Sequence, residues 1–243
     1  MAVRVETATV GEHFEAERRF FGGSALTMLA LTFIGFAPSY YLAPLTGAPA
    51  VPIVVHIHAA VFTGWMLLYV AQNMLVAARR RDLHQLLGIS GAFLIPAIVV
   101  AGYCTVILTA NGVGGVAARL GRVPILFPLA AVLAFGVLAG IGLARRSDAA
   151  THKRLMYLAT TSLVMTPLAR IAGMFGSPLM PPINGMLLSD LLVGALAVFD
   201  WRTRGCPHRA TAWGAGLLLL SQPLRVLIDR SEPWQATARW LLG

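Results

Sequence analysis

Five histidines stand where apolar runs begin, and their surroundings set what they could do. His84, His152 and His208 each follow an arginine cluster, in RRRDLHQLLG, RRSDAATHKRLM and RTRGCPHRATAW, and each falls at the predicted amino end of a helix. Backbone N–H groups and the helix dipole disfavour an imidazolium there and favour the neutral ring. Neutral imidazole is the form that ligates a metal or a haem iron. His84 and His152, on neighbouring helices, are the best pair for one haem, with His58 as a further cofactor ligand. His84, His152 and His208 together would offer zinc or another transition metal three nitrogens and an open fourth position. The same three histidines also suit an interface where they contact lipid phosphate or backbone carbonyls. The three loops read as a weak internal repeat, although a preference for positive charge on one side of a membrane would make such loops alike by itself.

A second group lies toward the other ends of the predicted helices. His56 and His58 are two residues apart, about 200° on a helix, so only one of them faces a given site. Arg170 follows His152 by about five turns on the same helix face, which places it at the opposite end. Asp190 falls at similar depth on the next helix, and Gln222, Arg225 and Asp229 form a polar face on the last. Charges at that depth cost a few kcal/mol each by insertion scales, so Arg170 and Asp190 are expected to face inward and pair. His56, His58, Arg170, Asp190 and Arg225 could together line an outer polar pocket for an anionic ligand. The plainer alternative is an Arg170–Asp190 bridge that locks two helices while Arg225 snorkels outward. No residue stands out as catalytic.

These residues must be positioned by membrane helices. The chain of 243 residues is 57% hydrophobic and only 12% charged, with mean hydropathy +0.73. About a quarter of residues would be charged in a soluble domain. Apolar runs of about twenty residues recur near 23–43, 52–78, 86–109, 123–144, 154–176, 183–201 and 212–230, enough for about seven crossings of a bilayer. The stretch His56–Gly88 organises this reading. As a helix it aligns His58, Phe62, Trp65, Tyr69 and Gln72 on one face, and Ala60, Leu67, Ala71 and Met74 on the other.

The fold expected is all-α, a polytopic membrane bundle over 23–230. An amphipathic cytoplasmic segment over 1–22 precedes it, and an external interfacial tail over 231–243 carries Trp234 and Trp240. Arginine clusters at Arg18–Arg19, Arg79–Arg81, Arg145–Arg146 and Arg202–Arg204 alternate with loops of little charge. The positive-inside preference then puts the amino terminus in the cytoplasm and the carboxyl terminus outside. The net charge of +9 is explained by those loops, so the partners expected are the lipid bilayer and other membrane subunits, not nucleic acid. Cys104 and Cys206 are too differently placed for a disulfide framework.

No phosphate loop, G-x-S-x-G, H-E-x-x-H, C-x-x-C or dinucleotide fingerprint occurs. NGVGG at 111–115 reads as an external turn. The segments HIHAAVFTGWMLLYVAQ, LHQLLG and THKRLMYLAT with Arg170 resemble an uncharacterised family of polytopic proteins of the bacterial inner membrane. More distantly, the His-Lys-Arg-Leu-Met run is similar to small membrane proteins that help assemble haem–copper oxidases. The resemblance implies a multi-pass topology and recurring histidines at His56, His58, His84 and His152, and no established reaction. The chain departs from two-haem b-type cytochromes, since no other helix offers an outer histidine. Three readings follow: a metal or haem protein in electron transfer or oxidase assembly, a solute or lipid carrier with an outer Arg/Asp pocket, and a non-enzymatic accessory subunit.

Overall fold

The computed structural model describes residues 10–47, 50–111 and 125–242. Among them the regular elements are all helical: α1 Val10–Phe36, a π-helical turn Ala37–Tyr41, α2 Ala43–Thr46, α3 Ile53–Ala77, α4 Arg81–Ala110, α5 Leu126–Ala144, α6 Ala149–Met174, α7 Pro181–Arg204, α8 Arg209–Asp229 and α9 Glu232–Leu242. Seven segments are long and apolar enough to cross a bilayer, so the chain is an integral, multi-pass membrane protein with the all-α bundle expected. Most of the 111–115 turn, and Arg119 and Arg122, lie outside the described residues.

The element on which the others converge is α6, rather than the His56–Gly88 stretch. It packs against α1, α5, α7 and α8, although its mean hydropathy of 1.3 is well below the 2.3 of α5. The two facts have one cause. Thr160, Thr161 and Ser162 are buried and each hydroxyl donates to a carbonyl of its own helix, Met156, Tyr157 and Ala159 respectively. Inside the bundle such hydroxyls can also bind neighbouring helices, as Thr160 does by accepting from Trp65 and Ser162 by reaching the Ala131 carbonyl.

The α3 stripe behaves as its spacing requires. Trp65 and Tyr69 are buried, whereas Ala60, Leu67 and Met74 on the opposite face are exposed. Trp65 donates Nε1–H to Thr160 Oγ1 at 3.2 Å and meets Phe135 edge-on, which fixes α3 against α6 and α5. The turn from α3 into α4 uses Arg79 in a left-handed conformation, φ 59°.

Residues 10–22 differ from the surface helix expected of them. They form one continuous helix with the first membrane segment, and their apolar side chains enter the bundle. Phe20 stacks on Phe199 at 4.2 Å between ring centroids, Phe21 is buried, and Glu17 pairs with Lys153 on α6. Burying Phe21 and half-burying Phe20 against the bundle removes apolar aromatic surface from water.

One polar knot closes the end of the bundle where the arginine loops gather. Arg154 on α6 donates Nε–H and Nη2–H to Asp200 Oδ1 at 2.9 and 2.5 Å. Its Nη1 donates to the Ala150 carbonyl. Asp200 Oδ2, at the end of α7, accepts from the Thr211 hydroxyl and the His208 backbone N–H at the start of α8. Three helices therefore meet on one carboxylate, and both charges have hydrogen-bond partners on several sides, the condition under which burying a pair is tolerable.

Candidate metal centre

His84 lies in the first turn of α4 and His152 in the first turn of α6. Their ring centroids are 6.4 Å apart with the planes at 89°. Two imidazoles on one metal, each nitrogen at about 2.0–2.1 Å, hold their centroids about 5–6.5 Å apart depending on the angle at the metal. Both rings are partly buried.

The His152 ring is fixed by a local bond. Its Nδ1 lies 2.8 Å from the Gly142 carbonyl in the last turn of α5. A carbonyl only accepts, so Nδ1 carries the proton and the lone pair of the neutral ring is on Nε2. A hydrogen bond of this kind is what normally orients a metal-binding histidine. Gly142 makes the approach feasible, because a Cβ there would stand 3.2 Å from Leu155 Cβ and 3.3 Å from Met156 Cε. Asp148 starts α6 by accepting from the Ala150 and Thr151 backbone N–H groups at 3.1 Å and from the Thr151 hydroxyl at 2.7 Å. The Thr151 hydroxyl, before the backbone donors, holds the Asp148 carboxyl below its usual pKa.

Around His84 the polar groups are left over. The His84 ring lies against the Gln72 backbone carbonyl on α3, and both side-chain amide atoms of Gln72 are buried without a hydrogen-bond partner. Gln72 Nε2 would be 3.6 Å from a Cβ on Gly88, one turn beyond His84, so the amide lies along the same stretch of α4. Each unsatisfied buried group costs about 1–3 kcal/mol, and such groups in a folded protein call for a reason. Sequence reasoning placed Gln72 on the inward stripe but gave it no role.

Other expected members do not join. His208 is the cap of α8, its Nδ1 accepting the Ala210 N–H at 3.1 Å. Burial, then the charges of Arg154 and Arg204, keep its pKa below the ordinary histidine value, consistent with an accepting Nδ1. Among the described residues no group of three or more His, Cys, Asp or Glu side chains is arranged for a metal, so the three-histidine zinc site is not assembled. His58 stands fourteen residues from Gln72 on α3, about 21 Å along the helix, and cannot share a ligand with His84. It stacks on Phe62 at 4.0 Å and faces the Ala101 backbone on α4. His56 turns away from it, Nδ1 lying 3.1 Å from the Tyr40 hydroxyl.

The outer pocket is divided rather than shared. Arg170 donates to Ser39 Oγ at 2.9 Å and lies over the Phe36 ring at 4.7 Å, toward α1. Asp190 Oδ1 accepts from Gln222 Nε2 at 2.6 Å, between α7 and α8. The expected Arg170–Asp190 pair is therefore not formed: a hydroxyl with an aromatic face satisfies the cation, and an amide satisfies the acid. Arg225 points inward instead of snorkelling, 5% exposed. No family model, curated protein or solved structure matches this chain.

Proposed function

We propose that His84 and His152 hold one transition-metal centre in the membrane, as a bound ion or as the iron of a haem, and that the chain serves electron transfer or the assembly of a metal-containing oxidase. The observation that carries this reading is the 6.4 Å separation of two imidazoles from residues far apart in the chain. One of them has its proton position set by a carbonyl. The unpartnered Gln72 amide beside His84 suits a bound group that brings its own donors and acceptors. Arg145 and Arg146, exposed after α5, are suited to pair with haem propionates. The arginine-rich loops support a cytoplasmic placement of this end and of the amino terminus, in a bacterial inner membrane.

Absorbance of the purified protein near the Soret region, with elemental analysis, tests the reading and separates haem from a bare ion. Absence of both haem and metal above background would argue instead for an accessory subunit. The Arg154–Asp200 knot favours that second reading, since its charged groups serve to join three helices.

A further inference from the structure

Outside the seven spanning segments, α9 carries aromatic surface that the bundle leaves uncovered. It follows α8 after a turn at Arg230 and Ser231, where the Gln235 side-chain amide donates to the Asp229 carbonyl at the end of α8, one of the groups a helix end leaves open. α8 runs from the arginine loop to Asp229, so α9 stands at the opposite end of the bundle, at the depth where spanning helices meet water. It packs on α8 and on α4, and α5 packs on both of these helices and so separates them. Two interaxial distances of about 8–10 Å each lie between α8 and α4. The 11 residues of α9, about 16 Å of helix, bridge that gap when the helix runs crosswise to the bundle.

At about 100° per residue its side chains fall into three sectors. Trp234, Ala238 and Leu241 are partly buried and form the sector toward the bundle. Glu232, Gln235 and Arg239, about a third of a turn away, are exposed and polar. Pro233, Ala236 and Trp240, about a third of a turn the other way, are exposed and apolar, and Trp240 is 80% exposed. A helix on the surface of a soluble domain needs two faces, one packed and one wet. Three sectors suit a helix at the rim of a membrane bundle, which meets protein, water and lipid together. An indole belongs at that boundary because its body is apolar and its N–H is not. Asp229, Arg230, Glu232 and Arg239 cancel in charge, so the attraction does not rest on anionic lipid.

We propose that α9 is an in-plane anchor whose Pro233, Ala236 and Trp240 sector is seated in the boundary between headgroups and acyl chains, with zwitterionic phospholipid as its partner. It fixes the depth of this end of the bundle and ties α8 to α4. The surface lies at the end away from the histidine pair and is independent of it.

The test uses the full chain in nanodiscs of phosphatidylcholine, with Cys104→Ser and Cys206→Ser, and one new thiol from either Trp240→Cys or Arg239→Cys labelled with an environment-sensitive fluorophore. The label at position 240 is expected to emit at shorter wavelength, to be quenched by lipid brominated near the headgroup end of its acyl chains, and to be shielded from aqueous iodide. The label at position 239 is expected to show the reverse. Replacing part of the phosphatidylcholine with phosphatidylglycerol is expected to leave both unchanged. Without any label, Trp240→Phe is expected to lose part of the quenching of tryptophan emission by the same brominated lipid, whereas Trp234→Phe, on the bundle side, loses little. Iodide quenching at 240 equal to that at 239 would overturn the proposal and place this sector in water. A label at 240 shielded from both quenchers would overturn it too, since protein, such as a second copy of the chain, would then cover the sector. Lipid quenching that required phosphatidylglycerol would overturn the assignment of a zwitterionic partner.

Discussion

Arg154 and Asp200, exposed by 1% and 0%, form a buried ion pair across 46 residues of sequence, with Arg154 Nε and Nη2 both directed at Asp200 Oδ1. Removing one partner would leave a buried charge, which typically destabilises by about 3–5 kcal/mol. Arg154→Met and Asp200→Asn are each expected to lower stability strongly in detergent. Arg154→Met is expected to be the milder, because the Thr211 hydroxyl and the His208 N–H still donate to the carboxylate. Thermal unfolding of the two variants and the double variant measures this, and the double is expected to fall short of the sum of the singles.

The His208 cap should be visible in the pH dependence of stability. Its pKa is lowered in the fold by burial and then by Arg154 and Arg204, so the unfolded chain binds the proton more readily. The stability gained from the neutral ring is present above the unfolded value of about 6.5. It is lost as pH falls from there through the lower folded value. His208→Asn keeps an accepting cap and is expected to flatten the wild-type decline as pH falls below about 6.5. Unfolding curves at several pH values, taken as the difference between the two proteins, isolate this group.

Which parts of this arrangement could be read in advance follows from what hydropathy and spacing encode. The seven spans and the α3 stripe depend on period and length alone. The closeness of His84 and His152 follows from both being one turn into helices at the same end. The Arg154–Asp200 pair left no such trace. Arg154 reads as one more cation of a basic loop, and Asp200 sits beside Trp201 and Arg202 at a helix end, where charge is ordinarily solvated. Arg170 and Asp190, expected to pair with each other, each bind a neutral polar group instead. Their partners depend on the rotation of each helix about its axis, which Ser39 and Gln222 do not announce in sequence. The role of α6 was hidden for a related reason, since hydropathy ranks a helix by its affinity for lipid while a central helix is surrounded by other helices.

Close packing of α7 on α6 should make Gly185 sensitive. A Cβ there would strike the Met165 carbonyl oxygen and come within 2.9 Å of Met165 Cγ, and a backbone atom cannot move aside as a side chain can. Gly185→Ala is expected to destabilise by about 1–3 kcal/mol, whereas Gly194→Ala on the same helix, with nothing within 4 Å, is expected to be nearly neutral. Thermal unfolding of the two variants makes the comparison.

Cys206, exposed between α7 and α8, reports on orientation. With the arginine loops in the cytoplasm, an impermeant maleimide is expected to miss it in intact cells and to label it after permeabilisation. Labelling in intact cells would place the arginine loops, and the histidine pair with them, outside.

The central claim is tested most directly by the metal and haem content per chain of the wild type purified beside His84→Ala, His152→Ala and, as a control at the other end of the bundle, His56→Ala. The proposal predicts close to one metal or one haem per wild-type chain. It predicts loss by more than about tenfold in each of the first two variants, given that even changes to groups behind the ligands cost about 10–100-fold in affinity, and little change in the third. Wild-type protein free of metal and haem, or a content unaltered in both His84→Ala and His152→Ala, would contradict it.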